Sequence, residues 1–418
     1  MKKNVLYFAV IFAMLVNFAG CADDSFEDTI PNSLDLILEK DIMNEDVGQG
    51  QKIPGQYIVV YNTDFGRSMN IQVSKDAVLN LTKELLGATI KSVAELKIKN
   101  IYASTINGVT IALNKNQVLA LKKDNRVKFI EQDQLVQFAP PCGTPNGGPC
   151  DGGGGGDGGG DSTQETPWGI SRVNGGIAYT GNNVAWILDS GIDLDHRDLN
   201  VDASRGFNAF TSGKDGRSLD DGNGHGTHVA GTIAAKDNTE GVIGVAAGAT
   251  VIPVKVLGAR GSGSYSGVIA GVDHVAANGT AGDVANMSLG GPISVALEDA
   301  IASAAQNGIR FMLAAGNESQ DANNVSPARI NGNNIYTISS MSQGDNWSSF
   351  SNFGNPPVDY CAPGSAIKST WKKGGYKTIS GTSMATPHAA GVLLLGNASI
   401  DGTVNGDPDA SPDSIIVH

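Results

Sequence analysis

Three residues with the chemistry to break a carbonyl bond sit at the edges of glycine-rich turns in this chain. Gly381-Thr382-Ser383-Met384-Ala385-Thr386-Pro387-His388 sets a serine on a Gly-Thr turn that opens an Ala-rich helical run. A hydroxyl there lies beside unpaired backbone N–H groups and the positive end of the helix dipole. Those groups can hold the oxyanion that forms when a serine attacks a carbonyl. By itself the stretch also describes an N-cap serine. Upstream, Ile187-Leu188-Asp189-Ser190-Gly191-Ile192-Asp193 ends the apolar run 184–188 in an acid. Asn223-Gly224-His225-Gly226-Thr227-His228-Val229-Ala230-Gly231 places a histidine between glycines at the mouth of a second Ala-rich helix. Taken singly these read as a turn-capping carboxylate and a glycine-flanked metal ligand. Taken together, Ser383 is a candidate nucleophile that needs a base. His225 is that base, since imidazole titrates near ~6.5 and can pass the proton to a leaving amine. Asp189 would hold the imidazole in the right tautomer. Asn317, in Ala314-Ala315-Gly316-Asn317, offers a side-chain N–H to the same oxyanion as the Ser383 backbone, or is a plain turn residue.

Positioning these groups calls for a rigid frame. Continuous apolar runs at 184–188, 250–256, 284–289 and 309–314 read as buried strands. Helical stretches at 225–235, 266–278, 295–307 and 383–395 lie among them. Buried strands alternating with helices predict an α/β fold, a parallel sheet covered on both faces. Asp189 and Asn317 then fall at the carboxyl ends of strands, where open sheets of this kind carry their sites. Ahead of this part, residues 54–139 read β-α-β-β-α-β: strands at 57–61, 93–102, 107–113 and 127–133, helices at 74–86 and 115–123. That order predicts a small ferredoxin-like α+β module. Between the two, residues 140–166 are a Gly-rich linker. Asp151, Asp157 and Asp161 within it could bind calcium or simply solvate a spacer. The polar stretch 401–413 reads as a tail.

The chain order Asp, His, Ser, with these flanks, resembles the subtilisin-like serine proteases, nearest their proteinase K-like branch. The resemblance runs from about residue 57 to 395. It includes Gly261-Ser262-Gly263-Ser264-Tyr265-Ser266-Gly267, Asn286-Met287-Ser288-Leu289-Gly290-Gly291, Ser348-Ser349-Phe350-Ser351-Asn352-Phe353-Gly354 and Ala362-Pro363-Gly364. It implies a subtilisin-like catalytic domain at 167–418 that hydrolyses peptide bonds through an acyl-enzyme. The module at 54–139 looks like the family's inhibitory propeptide, which assists folding and blocks the site. The resemblance further implies that Gly263, Ser288, Leu289 and Gly290 pair with an extended protein or peptide substrate. Tyr265 would line an apolar subsite and Val325 the primary pocket. It also implies a structural calcium held by the carbonyls of Asn333 and Ile335 with the Asp359 carboxylate, all hard oxygen donors. A surface loop at 329–334 without an ion is the alternative. No catalytic cofactor is implied, and a monomer is expected.

Bulk properties narrow the field. A formal net charge of −13 over 418 residues, with no basic patch, argues against a nucleic-acid partner. Lys2, Lys3 and the apolar run 5–18, ending in Ala19-Gly20-Cys21, read as a lipoprotein-type export signal over 1–20. Lipid on Cys21 would tie the protein to a membrane in the bacterial envelope; an ordinary secretory signal is the alternative. Residues 21–53 form an acidic tether. Cys142 and Cys150 flank a Gly/Pro turn and could pair in an oxidising compartment, while Cys361 reads as a small core residue. Residues 53–139 carry eleven Lys/Arg against seven Asp/Glu, net +4, and residues 167–418 carry fourteen against twenty-two, net −8. Opposite charges of this kind would steer the two parts together. Two other functions fit the same motifs: a peptide transpeptidase or macrocyclase, and an inactive surface binding protein.

Overall fold

A computed structural model describes residues 50–62, 74–87, 96–137 and 163–418. The expected export signal, Cys21, most of the expected acidic tether, Cys142, Cys150 and the linker aspartates lie outside them.

The expected order is present in the first part: β1 (Lys52–Tyr61), α1 (Lys75–Leu86), β2 (Ile98–Tyr102), β3 (Gly108–Ala112), α2 (Lys115–Leu121) and β4 (Val127–Gln137). All neighbours in the order β4-β1-β3-β2 are antiparallel. Ser74 caps α1 through the Ala77 N–H, and Asn114 with Gln117 forms a capping box on α2. Side chains alternate along β1. Val59 and Tyr61 pack with Val78, Leu81, Leu86 and Leu121 of the two helices. Ile58 and Val60 point the other way, into a cluster with Val268, Ile269, Val272 and Leu297 of the second part. An unbroken apolar strand is what two buried faces require.

In the second part β5 (Ala185–Asp189), α3 (His225–Ala234), β6 (Thr250–Lys255), β7 (Ser262–Ser264), α4 (Tyr265–Asn278), β8 (Val284–Met287), α5 (Val295–Ala305) and β9 (Arg310–Ala314) follow in turn. Then come β10 (Ile335–Ser342), β11 (Val358–Pro363), the hairpin β12 (Ile367–Trp371) and β13 (Gly375–Ile379), α6 (Thr382–Leu395), β14 (Ser399–Thr403) and β15 (Ser414–Val417). The main sheet runs β14-β15-β11-β10-β9-β8-β5-β6, parallel except for β14. Chain order reverses at β5, which puts Asp189 at the switch point. Trp186 and Leu188 face α4 and α5, whereas Ala185 and Ile187 face α3 and α6.

One expectation is overturned. Residues 401–413 are not a polar tail: β14 and β15 form a hairpin that extends the sheet, with Ile415 opposite Cys361. Asp413 is 3% exposed and accepts hydrogen bonds from Ser339 Oγ and Asn355 Nδ2, so its charge sits inside a polar seam. Cys361 is buried, and burial pushes its thiol pKa well up, which suits the core role.

Candidate active site

Asp189 and His225 meet directly. His225 Nδ1 is 2.9 Å from both Asp189 carboxylate oxygens, and the pair is 0% and 1% exposed. Asp189 Oδ1 also accepts from the Ser190 N–H at 2.7 Å, which fixes the carboxylate on its loop. With Nδ1 committed to Asp189, proton exchange at the ring runs through Nε2. The turn before α3 demands glycine at 224: φ is +115°, and a Cβ there would lie 2.4 Å from the Trp371 ring.

Asp221 ties the two loops together, a role the sequence did not reveal. Its Oδ1 accepts from Asn223 N, Gly224 N and Ser190 Oγ at 2.8–2.9 Å. Its Oδ2 accepts from the N–H and hydroxyl of Thr227 at 2.9 and 2.7 Å. An acid ahead of Gly-Asn-Gly, with threonine in the first turn of the next helix, is the pattern that could have flagged it. His228 is no part of this group. Its Nε2 meets the carbonyls of Ile367 and Lys377 on the hairpin, rather than bonding along its own helix, and burial beside His225 lowers its pKa to about 3. His388 bonds Met384 O through Nδ1, and burial lowers its pKa to about 4.

Ser383 opens α6, which packs against α3. Its hydroxyl donates to Ser288 O at 3.3 Å. Pro387 stands four residues on and has no N–H to give the Ser383 carbonyl. Ser288 Oγ donates to that carbonyl instead, at 2.8 Å. Asn317 meets the same helix end: its Oδ1 accepts from Thr382 N and Oγ1 at 2.8 and 2.9 Å, which aims Nδ2 away from Thr382. Asn352 shapes the turn around it, donating to Ala315 O and Glu318 Oε2 and accepting from Glu318 N and Gln320 N.

A strand of the same chain lies in the groove beside these groups. Leu135, Val136 and Gln137 pair antiparallel with Ser264, Gly263 and Ser262, and Gln137 also pairs with Gly290. Val136 is 0% exposed and shares a cluster with Tyr265, Leu289 and Val268. The Tyr265 hydroxyl donates to Pro292 O at 2.6 Å, joining the two sides of the groove. Next to Ser383 a small pocket is lined by Ser288, Leu289, Gly290, Gly316, Asn317, Glu318 and Val325. Glu318, exposed at its rim, was not anticipated. Glu298 braces the wall behind Gly290 and Val325, accepting from Ser326 Oγ and from Arg329 Nε and Nη2 at 2.6 and 2.9 Å.

The first part docks by charge against dipole. Glu131 accepts from Ala296 N at the start of α5 (3.1 Å), and Asp133 accepts from Ser266 N at the start of α4 (3.1 Å). Each carboxylate thereby meets unpaired N–H groups at the positive end of a helix. In return Asp273 of α4 accepts from the N–H groups of Ala103, Ser104 and Thr105 at 2.8–3.2 Å. Among the described residues, the opposite net charges meet at Lys128 and the half-buried Asp299, 2.6 Å apart. A pair of that kind contributes little and is screened by salt.

The expected calcium ligands lie near the starts of two neighbouring strands: Asn333 in an exposed loop, Ile335 at the start of β10, and Asp359 on β11. Asp359 accepts from Thr337 N at 2.8 Å. The residue as a whole is exposed, yet desolvation of its carboxyl raises its pKa to about 6. Among the described residues, no group of three His, Cys, Asp or Glu is arranged to hold a metal. Nor is any described helix long and apolar enough to cross a membrane.

Comparison with known proteins agrees with this architecture. Residues 182–402 match the Subtilase family and residues 56–139 match Peptidase inhibitor I9. The chain is 42% identical over 311 residues to alkaline serine exoprotease A of Vibrio alginolyticus, covering 72% of this chain and 53% of that protein. It therefore spans about half the length of that relative. It is 35% identical over 363 residues to an extracellular serine proteinase of Thermus sp. (strain Rt41A), covering 82% and 80%. The crystal structure of a cold adapted subtilisin-like serine proteinase superposes with a TM-score of 0.50 at 39% identity, covering 59% of this chain and 96% of that one. The chain belongs to the subtilase family and carries a peptidase inhibitor I9 segment ahead of its subtilase part.

Proposed function

We propose that this chain is a serine endopeptidase made as a self-processed precursor, in which residues 54–139 fill the substrate groove of residues 167–418. The observation that carries the reading is the strand Leu135–Gln137 lying between β7 and Gly290, as a bound peptide would, and running toward Ser383. In the reaction Ser383 Oγ attacks the substrate carbonyl while His225 Nε2 takes its proton. Asp189 holds the ring through Nδ1 and stabilises the imidazolium. The oxyanion is received by the Ser383 N–H and Asn317 Nδ2. His225 then protonates the leaving amine, and water repeats the sequence on the acyl-enzyme. A fluorophosphonate probe, applied after the inhibitor part has been digested away, should label Ser383 and stop peptide hydrolysis together. Active enzyme without label at Ser383 would sink the assignment, and no activity at all would favour the binding-protein alternative.

Backbone pairing through Gly263, Ser288, Leu289 and Gly290 supports broad sequence tolerance. The buried Val136 beside Tyr265 supports an aliphatic side chain at that substrate position. Val325 supports an apolar one in the pocket next to Ser383, with Glu318 admitting a cationic tip at the rim.

Calcium belongs to the same reading. An Asp359 carboxyl whose desolvation raises its pKa to about 6 is a hard oxygen donor short of positive charge. The ion would cross-link β10 and β11 with the Asn333 and Ile335 carbonyls. A chelator should then lower the melting temperature of wild type and leave Asp359→Ala unmoved; an equal drop in both would remove the site.

Export completes it, supported by Lys2, Lys3, the apolar run and Cys21. A membrane-fraction protein whose intact mass exceeds that of the chain starting at Cys21 by a diacylglyceryl group is expected. An unmodified mass would leave an ordinary secretory signal.

A further inference from the structure

Strand β8 carries a buried amide that the reaction as described leaves unused. Asn286 is 0% exposed and sits mid-sheet, opposite Ile187 of β5 and Met312 of β9. Side chains alternate along a strand. Ala285 and Met287 join the cluster on the α4 and α5 face, while Val284 joins Ile187, Met312, Met384 and Ala385 on the α6 face. Asn286 therefore points to the side covered by the helix that carries Ser383.

Its two polar atoms are treated unequally. Nδ2 donates to Ser288 Oγ at 2.8 Å, whereas Oδ1 has no hydrogen-bond partner among the described residues. A buried acceptor without a donor lowers stability, and an apolar side chain would avoid that loss. Such groups are few in folded proteins, and each calls for a reason.

The reason lies one bond further on. A serine hydroxyl has a single proton to give. Ser288 Oγ gives its proton to Ser383 O at 2.8 Å. That carbonyl has no helical donor, because Pro387 stands where the N–H should be. With Nδ2 turned to Ser288, the amide fills a lone pair of Oγ and leaves the proton for the Ser383 carbonyl. Turned the other way, Oδ1 would compete for that proton and could leave the carbonyl bare. The amide thus sets the direction of the chain of bonds from Asn286 through Ser288 to Ser383.

We propose that Asn286 is a positioning residue for the nucleophile. By donating to Ser288 it fixes the hydroxyl that anchors the Ser383 carbonyl, and through it the place of Ser383 Oγ beside the substrate. It acts through Ser288 and not on the substrate itself. The proposal rests on the protease reading above, and its test separates the two.

Asn286→Leu keeps a branched side chain and removes the amide. With the inhibitor part digested away, kcat should fall about 10–100-fold with KM within about 3-fold of wild type, up to the scale on which ~1 Å misplacements of reacting groups act. The melting temperature of the full chain should hold or rise, since the unpaired oxygen goes with the amide. A residue serving only the fold would lower both. Asn286→Ala, which cannot crowd the core, should show the same kcat loss if leucine prevents folding. Ser288→Ala should lose as much as Asn286→Leu, and the double variant no more than either alone, because both act through one carbonyl. Pro387→Ala supplies the missing N–H, so beside it Asn286→Leu should lower kcat less than about 3-fold. Full kcat in both Asn286 variants overturns the proposal. So do losses that multiply with Ser288→Ala, or an undiminished loss beside Pro387→Ala. If wild type itself hydrolyses no peptide and takes no serine-directed label, the protease reading fails instead.

Discussion

A Ser383→Ala chain is expected to lose peptide hydrolysis by on the order of 10⁶-fold, the loss subtilisin itself shows when its nucleophile is removed. The substitution deletes one oxygen. Among the described residues that oxygen donates to Ser288 O, and the α6 terminus is held without it, by Thr382 on Asn317 and by Ser288 Oγ on the Ser383 carbonyl. Alanine favours helix at least as well as serine, so the melting temperature should stay within a few degrees of wild type. Steady-state turnover alongside a thermal melt separates the two effects. Wild-type turnover would refute the nucleophile, and a collapsed melt would show that the serine also serves the fold.

Asn317→Ala should lower kcat by about 10²–10³, the range known for the oxyanion asparagine of subtilisin. The proposed oxyanion role and the observed contact with Thr382 use different atoms of Asn317, so they can be pulled apart. Its Oδ1 accepts two bonds from Thr382, so alanine also removes a cap from α6, worth about 1 kcal/mol of stability. Asn317→Asp keeps an acceptor for Thr382 but offers no N–H and sets a negative charge beside the developing oxyanion. It should therefore melt close to wild type while losing at least as much kcat as alanine. A loss confined to KM in both variants would make Asn317 a substrate-binding residue only.

The frame was legible, and the candidate reacting groups stood out, because their signals are local. Asp189, His225 and Ser383 each end or open a regular element beside glycine, and β5, β6, β8 and β9 are apolar on both faces. The β10 strand escaped notice because Thr337, Ser339 and Ser340, each satisfied by hydrogen bonds that only the fold supplies, interrupt its buried apolar residues Ile335, Ile338 and Met341. For the same reason the hairpin of β14 and β15 went unread beside the expected tail at 401–413. Ile415, Ile416 and Val417 are too short a run to stand out after Asp407, Asp409 and Asp413, and the Ser339 partner of Asp413 lies 74 residues away in sequence. Asp221 had a local pattern to flag it, whereas Glu318 acts with Asn352, 34 residues away, which no spacing rule brings to it.

Pro387 has a consequence for alignment. Since it cannot serve the Ser383 carbonyl, Ser288 does, and Ser288 also receives the Ser383 hydroxyl. Two residues along the same stretch, Gly290 pairs with Gln137 of the strand that lies in the groove. The nucleophile and the peptide it must reach are thus measured from one shared datum, not from two distant parts of the frame. When α6 rocks against the sheet, or the groove edge breathes, much of that displacement is common to both. Only the difference between the two motions changes the attack distance, which must stay near ~3–3.5 Å for reaction. The site can tolerate a mobile surround because its critical length is short and locally referenced.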